Sequence, residues 1–215
     1  MLGSTTTRIS DYPYFSRSGP EICVASTKAF TAQVSWGLLL SLTITGRYKE
    51  AQENIKELAG YLENYFTPTL FNQIKKLVKK IKNKEHFFVL GKGQNYYISL
   101  EGALKVKEIT YKHFEGFAAG ELKHGVIALI EKDTPVFVIV SDDNNKNDML
   151  SAAAQVNARG AMVVGIGKVN NELFSEFVMT PEAGLSDCIA NVIPFQLISY
   201  FLGVELGCSP DRPRN

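Results

Sequence analysis

Cysteine is scarce in this 215-residue chain, and what there is does not pair. Cys23, Cys188 and Cys208 are odd in number, and none sits in a Cys-x-x-Cys or Cys/His ligand spacing. That argues against both a disulfide framework and a zinc site and fits a reducing cytoplasm. Charge of one sign is also missing: the formal net charge is +1. The one basic run, residues 75–84, leaves no electrostatic footprint for tracking nucleic acid. No amphipathic presequence or signal peptide opens the chain, and no apolar run reaches the roughly 20 residues that span a bilayer. Residues 191–204 are greasy but short and are expected to form a buried terminal helix. A complete Gly-x-Gly-x-x-Gly is absent, since Tyr96 stands where the third glycine belongs, so Gly91-Lys92-Gly93-Gln94 resembles half of a phosphate cradle or a plain tight turn. No metal site and no organic cofactor is called for. With 45% hydrophobic and 21% charged residues, the chain can bury a core as one large or two modest domains, and its partners are expected to be small molecules or other subunits.

The beginning reads as a cut edge: residues 4–9 run into Tyr12, Tyr14 and Phe15 and then Gly19-Pro20-Glu21 with no leading helix to cover them. Ala29, Phe30, Val34, Trp36, Leu38, Leu42 and Ile44 predict a strongly apolar helix over 27–45, capped by Ser26 or Thr27, closed by Gly46 and expected to be buried. Amphipathic helices follow over 48–61 and 67–81. The second puts Phe71, Ile74, Leu77, Val78 and Ile81 inside and Lys75, Lys76, Lys79 and Lys80 on a solvated face. After Glu85 the pattern changes. Residues 86–90, 126–130, 135–141 and 161–166 are strand-like, with helices over 96–114 and 147–157 between them. Strands alternating with helices of this length predict a doubly wound α/β domain, a parallel sheet with helices on both faces. Its ligands would collect where strand carboxyl ends meet helix amino ends, near Gly91-Lys92-Gly93.

At about 100° per residue, Glu101, Lys105, Glu108 and Lys112 fall on one narrow stripe of the 96–114 helix, pinched between apolar neighbours. Two readings stand. The stripe is a solvent-facing ladder of Glu-to-Lys pairs, or it faces a cleft where carboxylates and an ammonium are tuned for proton transfer. His124, beside Gly125 at the entrance to the 126–130 strand, is either structural or exposed to a ligand. His86 and His113 have no companions that suggest catalysis and are read as structural.

Four motifs, in order, carry a resemblance: GPEICVASTKAFT at 19–31, LEGALKVKEITY at 100–111, AAGELKHGVIALI at 118–130 and DRPRN at 211–215. Together they resemble the isomerase half of the glutamine-fructose-6-phosphate aminotransferase family, over essentially the whole chain. The resemblance implies two sugar isomerase (SIS) domains in tandem, each a flavodoxin-like parallel sheet. Residues 1–45 would be the last part of the first SIS domain, 46–82 connecting helices and 83–215 the second. It also implies roles. Glu108 would carry the proton between C1 and C2 of the open sugar, with Lys105 stabilising charge on an enolamine-like intermediate and Glu101 beside them. His124 would open the sugar ring from across a dimer interface, and Val24, Ala25 and Ser26 would contact the sugar, fructose 6-phosphate or glucosamine 6-phosphate.

The family's Ser/Thr-rich phosphate loop and its glutaminase domain would precede Met1, and its Schiff-base lysine would follow residue 215, so the chain by itself is expected not to catalyse the full reaction. Alternatives are a non-catalytic SIS module that binds a phosphosugar or serves in dimerisation, and another sugar-phosphate isomerase or deglycase of the same superfamily. Retention of Glu108, Lys105 and His124 favours a catalytic ancestry.

Overall fold

The computed structural model describes residues 3–212 and 214; Pro213 and Asn215 of the DRPRN motif lie outside the described residues. In chain order the helices and strands are α1 (Thr5–Ile9), α2 (Lys28–Ile44), α3 (Tyr48–Tyr65), α4 (Pro68–Ile81), β1 (His86–Gly91), α5 (Gln94–Thr110), β2 (His113–Ala118), β3 (Pro135–Val140), α6 (Lys146–Asn157), β4 (Met162–Gly167), β5 (Glu176–Met179) and α7 (Asp187–Glu205). Short 3-10 turns occupy Ala119–His124, Val126–Leu129 and Gly184–Ser186. The five strands form one parallel sheet in the order β2-β1-β3-β4-β5, as the alternation of strands and helices predicts.

The sheet is buried on both faces. Phe87 and Val89 of β1 join Phe137, Ile139, Val164 and Ile166 in a core covered by α4, α5 and α7. Phe88 and Leu90 join Val136, Val138 and Val163 in a second core covered by α6 and the 3-10 turns. The period of two along each strand separates the sets, and none of these side chains has an exposed alternative. The local signals of α4 are equally direct. Thr67 accepts from the Leu70 amide at 3.2 Å, Pro68 opens the first turn, Lys79 and Lys80 close the last, and Leu70, Ile74, Leu77, Val78 and Ile81 are buried.

Several expectations are corrected. Residues 126–130 are not a strand. After Gly125, at φ 148°, the chain coils into a 3-10 turn that buries Val126 and Ile130 one turn apart. The helix read over 96–114 ends at Thr110, because Tyr111 adopts a left-handed conformation, φ 59°, whose amide bonds back to the Lys107 carbonyl. Residues 113–118 are thereby released to form β2, an edge strand. β5 lay unseen at four residues. The apolar α2 has no buried residue, and Ile44 is 78% exposed, because α3 and α7 cover only part of its circumference. The terminal helix starts at Asp187, not residue 191. With the turn before it, this segment is long and apolar enough by composition to cross a bilayer, yet 61% of its apolar window is buried in the fold.

α5 and α7 approach closely at Gly102, where an added Cβ would lie 2.6 Å from Cγ of Phe195. A side chain there displaces a ring that is fully buried. Gly102→Ala is therefore expected to cost about 1–3 kcal/mol by overpacking. Gly60, exposed on α3 with nothing within 4 Å of an added Cβ, is expected to gain about 0.5–1 kcal/mol on substitution by Ala. Urea unfolding of the two variants checks both signs.

Candidate active site

The order of the sheet sends the chain in opposite directions from β1, so the crevice between the carboxyl ends of β1 and β3 is where a doubly wound fold would hold a ligand. At that end of the sheet the protein's own side chains form a buried network. Asn191 Nδ2 donates to Asn95 Oδ1 at 2.9 Å and to Ser141 Oγ at 3.0 Å, and Asn95 Nδ2 donates to Ser141 Oγ at 2.9 Å; all three residues are buried. The Gly91-Lys92-Gly93 turn is shaped by the same crowding, since a Cβ on Gly91 would meet the Asn95 carbonyl oxygen at 2.0 Å. It is a tight turn against its own helix. The network was missed, although its signal was available: Asn191 sits within the greasiest helix and Ser141 directly follows a wholly apolar strand. Beyond it, Lys168 pairs with Glu182 at 2.6 Å and Asp187 at 3.1 Å. Desolvation pushes its ammonium down, but bonding to the two carboxylates outweighs this and raises it.

The charged stripe separates into two parts. Lys105 is 3% exposed, and its Nζ lies 3.3 Å from Glu101 Oε1 and 3.2 Å from Glu108 Oε2. The carboxylate side chains are 17% and 25% exposed. An ammonium withdrawn this far from water persists only when paired, and two partners one turn to either side supply that. The reading of the whole stripe as a solvent-facing ladder is thereby corrected for Lys105. Lys112 is a different matter: past the end of α5, its Nζ donates to the Lys84 carbonyl at 2.8 Å and to Glu85 at 2.9 Å, tying the entrance of β1.

Glu101, Lys105 and Glu108 are thus brought together. His124 is exposed at the end of the Ala119–His124 turn, and among the described residues no hydrogen bond or ion pair joins it to that trio. Nor is it at a strand entrance, since the following segment is itself a 3-10 turn.

Val24, Ala25 and Ser26 form the approach to α2, with Val24 exposed and Ala25 buried. Neither Ser26 nor Thr27 caps the helix with its own side chain. Glu21 does so, a residue the sequence reading passed over. Its carboxylate accepts from Ser26 Oγ at 2.5 Å, the Thr27 amide at 2.8 Å and the Ala29 amide at 3.3 Å. Desolvation raises the Glu21 carboxyl, but the Ser26 hydroxyl and the amides of Thr27, Ala29 and Lys28 outweigh it and hold the group below its ordinary range. The Ser26 proton is thus engaged, leaving its oxygen lone pairs for a ligand.

A cavity of about 400 Å³ lies between α2 and α5, lined by Phe30 and Val34 of α2 and by Tyr97, Leu100, Glu101 and Leu104 of α5, among others. Glu101 faces it; Lys105, Glu108 and Ser26 do not line it. No group of three or more His, Cys, Asp or Glu side chains that could hold a metal occurs among the described residues.

The SIS domain family matches residues 80–201. Over 225 residues the chain is 39% identical to a glutamine–fructose-6-phosphate aminotransferase of Chlorobaculum tepidum, covering all of this chain and 37% of that relative. The chain spans about a third of the length of the curated relatives it matches. Among solved structures, the C-terminal domain of glucosamine-fructose-6-phosphate aminotransferase from Francisella tularensis superposes with a TM-score of 0.86 at 32% identity, covering 99% of this chain and 63% of that one. A glucosamine-6-phosphate deaminase from Thermotoga maritima superposes with a TM-score of 0.75 at 25% identity, covering 99% and 62%.

The Glu21 cap sets a pH dependence. A carboxyl held low in the folded state stabilises the fold above its unfolded pKa, and that contribution is lost as the pH falls through the folded value. Glu21→Gln is expected to cost about 0.5–1 kcal/mol at neutral pH, the scale of a lost helix cap. The gap to the wild type should close on acidification through the carboxylate range, as followed by thermal unfolding.

Proposed function

The chain belongs to the SIS domain family, and on that premise we propose that it carries the isomerase chemistry of a glutamine–fructose-6-phosphate aminotransferase. The observation that carries the reading is the burial of Lys105 between Glu101 and Glu108 on a helix that packs one side in the core. Three charges concentrated there, at the edge of a cavity, are costly for a structural helix and useful for moving a proton.

In this reading the ring of fructose 6-phosphate opens, ammonia condenses with the C2 carbonyl and water leaves. Glu108 removes a proton from C1, the electron pair forming the C1–C2 double bond of an enolamine as the imine π pair moves to nitrogen, which takes a proton; returning the proton to C2 as O1 loses its own gives the C1 aldehyde of glucosamine 6-phosphate. Lys105, a fixed positive charge, favours the electron-rich intermediate over the imine. Glu101 holds Lys105 from the opposite side. Val24, Ala25 and Ser26, stiffened by the Glu21 cap, hold the sugar's oxygens. His124, exposed and without a partner among these groups, serves ring opening in the site of a second copy, so that the working unit is a homodimer. Residues 1–45 are the last part of a preceding SIS domain, whose remainder covers the exposed apolar side of α2. Three unpaired, partly buried cysteines fit a cytoplasmic protein.

The test joins the chain to the portions that precede and follow the matching segment in the Chlorobaculum tepidum relative and supplies fructose 6-phosphate and ammonium. Glucosamine 6-phosphate is expected to form. Glu108→Gln is expected to lower turnover by about 10²–10⁴-fold and to abolish deuterium exchange at C1, with sugar affinity little changed. Mixing Glu108→Gln with His124→Asn protein should restore activity that neither has alone. Wild-type turnover in Glu108→Gln would refute the assignment.

A further inference from the structure

We propose that His86 and His113 form a two-imidazole chelate for a divalent transition-metal ion of the zinc and nickel class. The site lies at the amino ends of β1 and β2, at the opposite end of the sheet from the crevice between β1 and β3. It is independent of the function proposed above.

His86 is the first residue of β1 and His113 the first of β2, and the two are direct partners in the parallel ladder. Both are exposed, yet their Nδ1 atoms lie only 3.1 Å apart, with ring centroids 5.2 Å apart. At that distance one Nδ1 donates and the other accepts. A tilt of both exposed rings brings two Nδ1 atoms at this spacing into chelating position. With metal–nitrogen bonds of about 2.0–2.1 Å, they subtend an angle at the metal of about 100°, between the octahedral and tetrahedral values. Imidazole nitrogen is the donor type that suits zinc, nickel and copper, and water completes the shell.

Three further features prepare the pair. Glu115 Oε2 lies 3.5 Å from His113 Nε2, within a small side-chain shift of accepting a proton from Nε2 and so leaving the Nδ1 lone pair facing His86. This is the carboxylate–histidine arrangement that orients metal-binding imidazoles. His86 then needs only to exchange its Nδ1 proton for one on Nε2, in solvent, for both lone pairs to face the ion. Directly behind, Phe87 and Phe114 stack with ring centroids 4.1 Å apart in the core, so the backbone carrying the imidazoles is fixed before any ion arrives. Glu115 adds negative charge beside the pair, while Lys112 is held against Glu85 and the Lys84 carbonyl. An ion held here staples the edge strand β2 to β1.

The experiment titrates the full chain with Ni²⁺ by calorimetry and follows thermal unfolding with and without the ion. One ion per chain is expected, with a rise in the unfolding temperature, because a ligand bound to the folded state alone stabilises it. His86→Gln and His113→Gln, which preserve a polar surface side chain, should each weaken binding at least tenfold and abolish the rise; His124→Gln should change neither. Absence of binding to the wild type overturns the proposal. So does full binding by the His86→Gln/His113→Gln double variant, which would place the ion on the cysteines, or an equal loss in His124→Gln.

Discussion

A strand such as β1, with Phe87 and Val89 on one side, Phe88 and Leu90 on the other, and none of the four exposed, cannot exist without two covering layers. That constraint organises the molecule. The parallel ladder requires crossovers, the crossovers supply the layers, and α5 is held on one face between the sheet and α7 while α6 and the 3-10 turns close the other. Area removed from water at about 25 cal/mol per Å² makes this double burial the dominant favourable contribution.

The placement of α5 then decides where chemistry can occur. One side of it is occupied by packing, so Glu101, Lys105 and Glu108 sit at the border of the core, with Glu101 alone of the three facing the cavity. There the low polarizability of the surroundings couples Lys105 to both carboxylates more strongly than water would allow. A helix that is core on one side and carries a paired ammonium at its border links fold stability to site geometry through the same residues, Gly102 and Lys105 being three positions apart.

Much of this was legible in the residues. The apolar runs of β1 and β3, the lysine face of α4 and the stripe at Glu101, Lys105 and Glu108 each follow from periodicity alone. What failed did so for identifiable reasons. Residues 111–114 continue the charge and aromatic pattern of α5, and nothing local announces that Tyr111 will turn left-handed without a glycine. β2 is an edge strand whose alternation is half-exposed, so it resembled a helix end. Residues 126–130 have the apolarity of a buried strand, but Gly125 launches them as a coil with no ladder to join. The stripe's position was readable, whereas its burial depends on neighbours distant in sequence. The same holds for Glu21, whose capping role arises from a chain reversal that spacing does not reveal, and for the imidazoles of His86 and His113, paired only by strand register.

The amide–hydroxyl network of Asn95, Ser141 and Asn191 has a consequence for how such a domain is used. It joins side chains 46 and 96 residues apart in sequence at the very opening where doubly wound sheets ordinarily admit a guest. Removing any member strands polar atoms in a dry interior, as a lost keystone unsettles an arch. The three side chains therefore lock α5, the end of β3 and α7 into one unit at that end of the sheet.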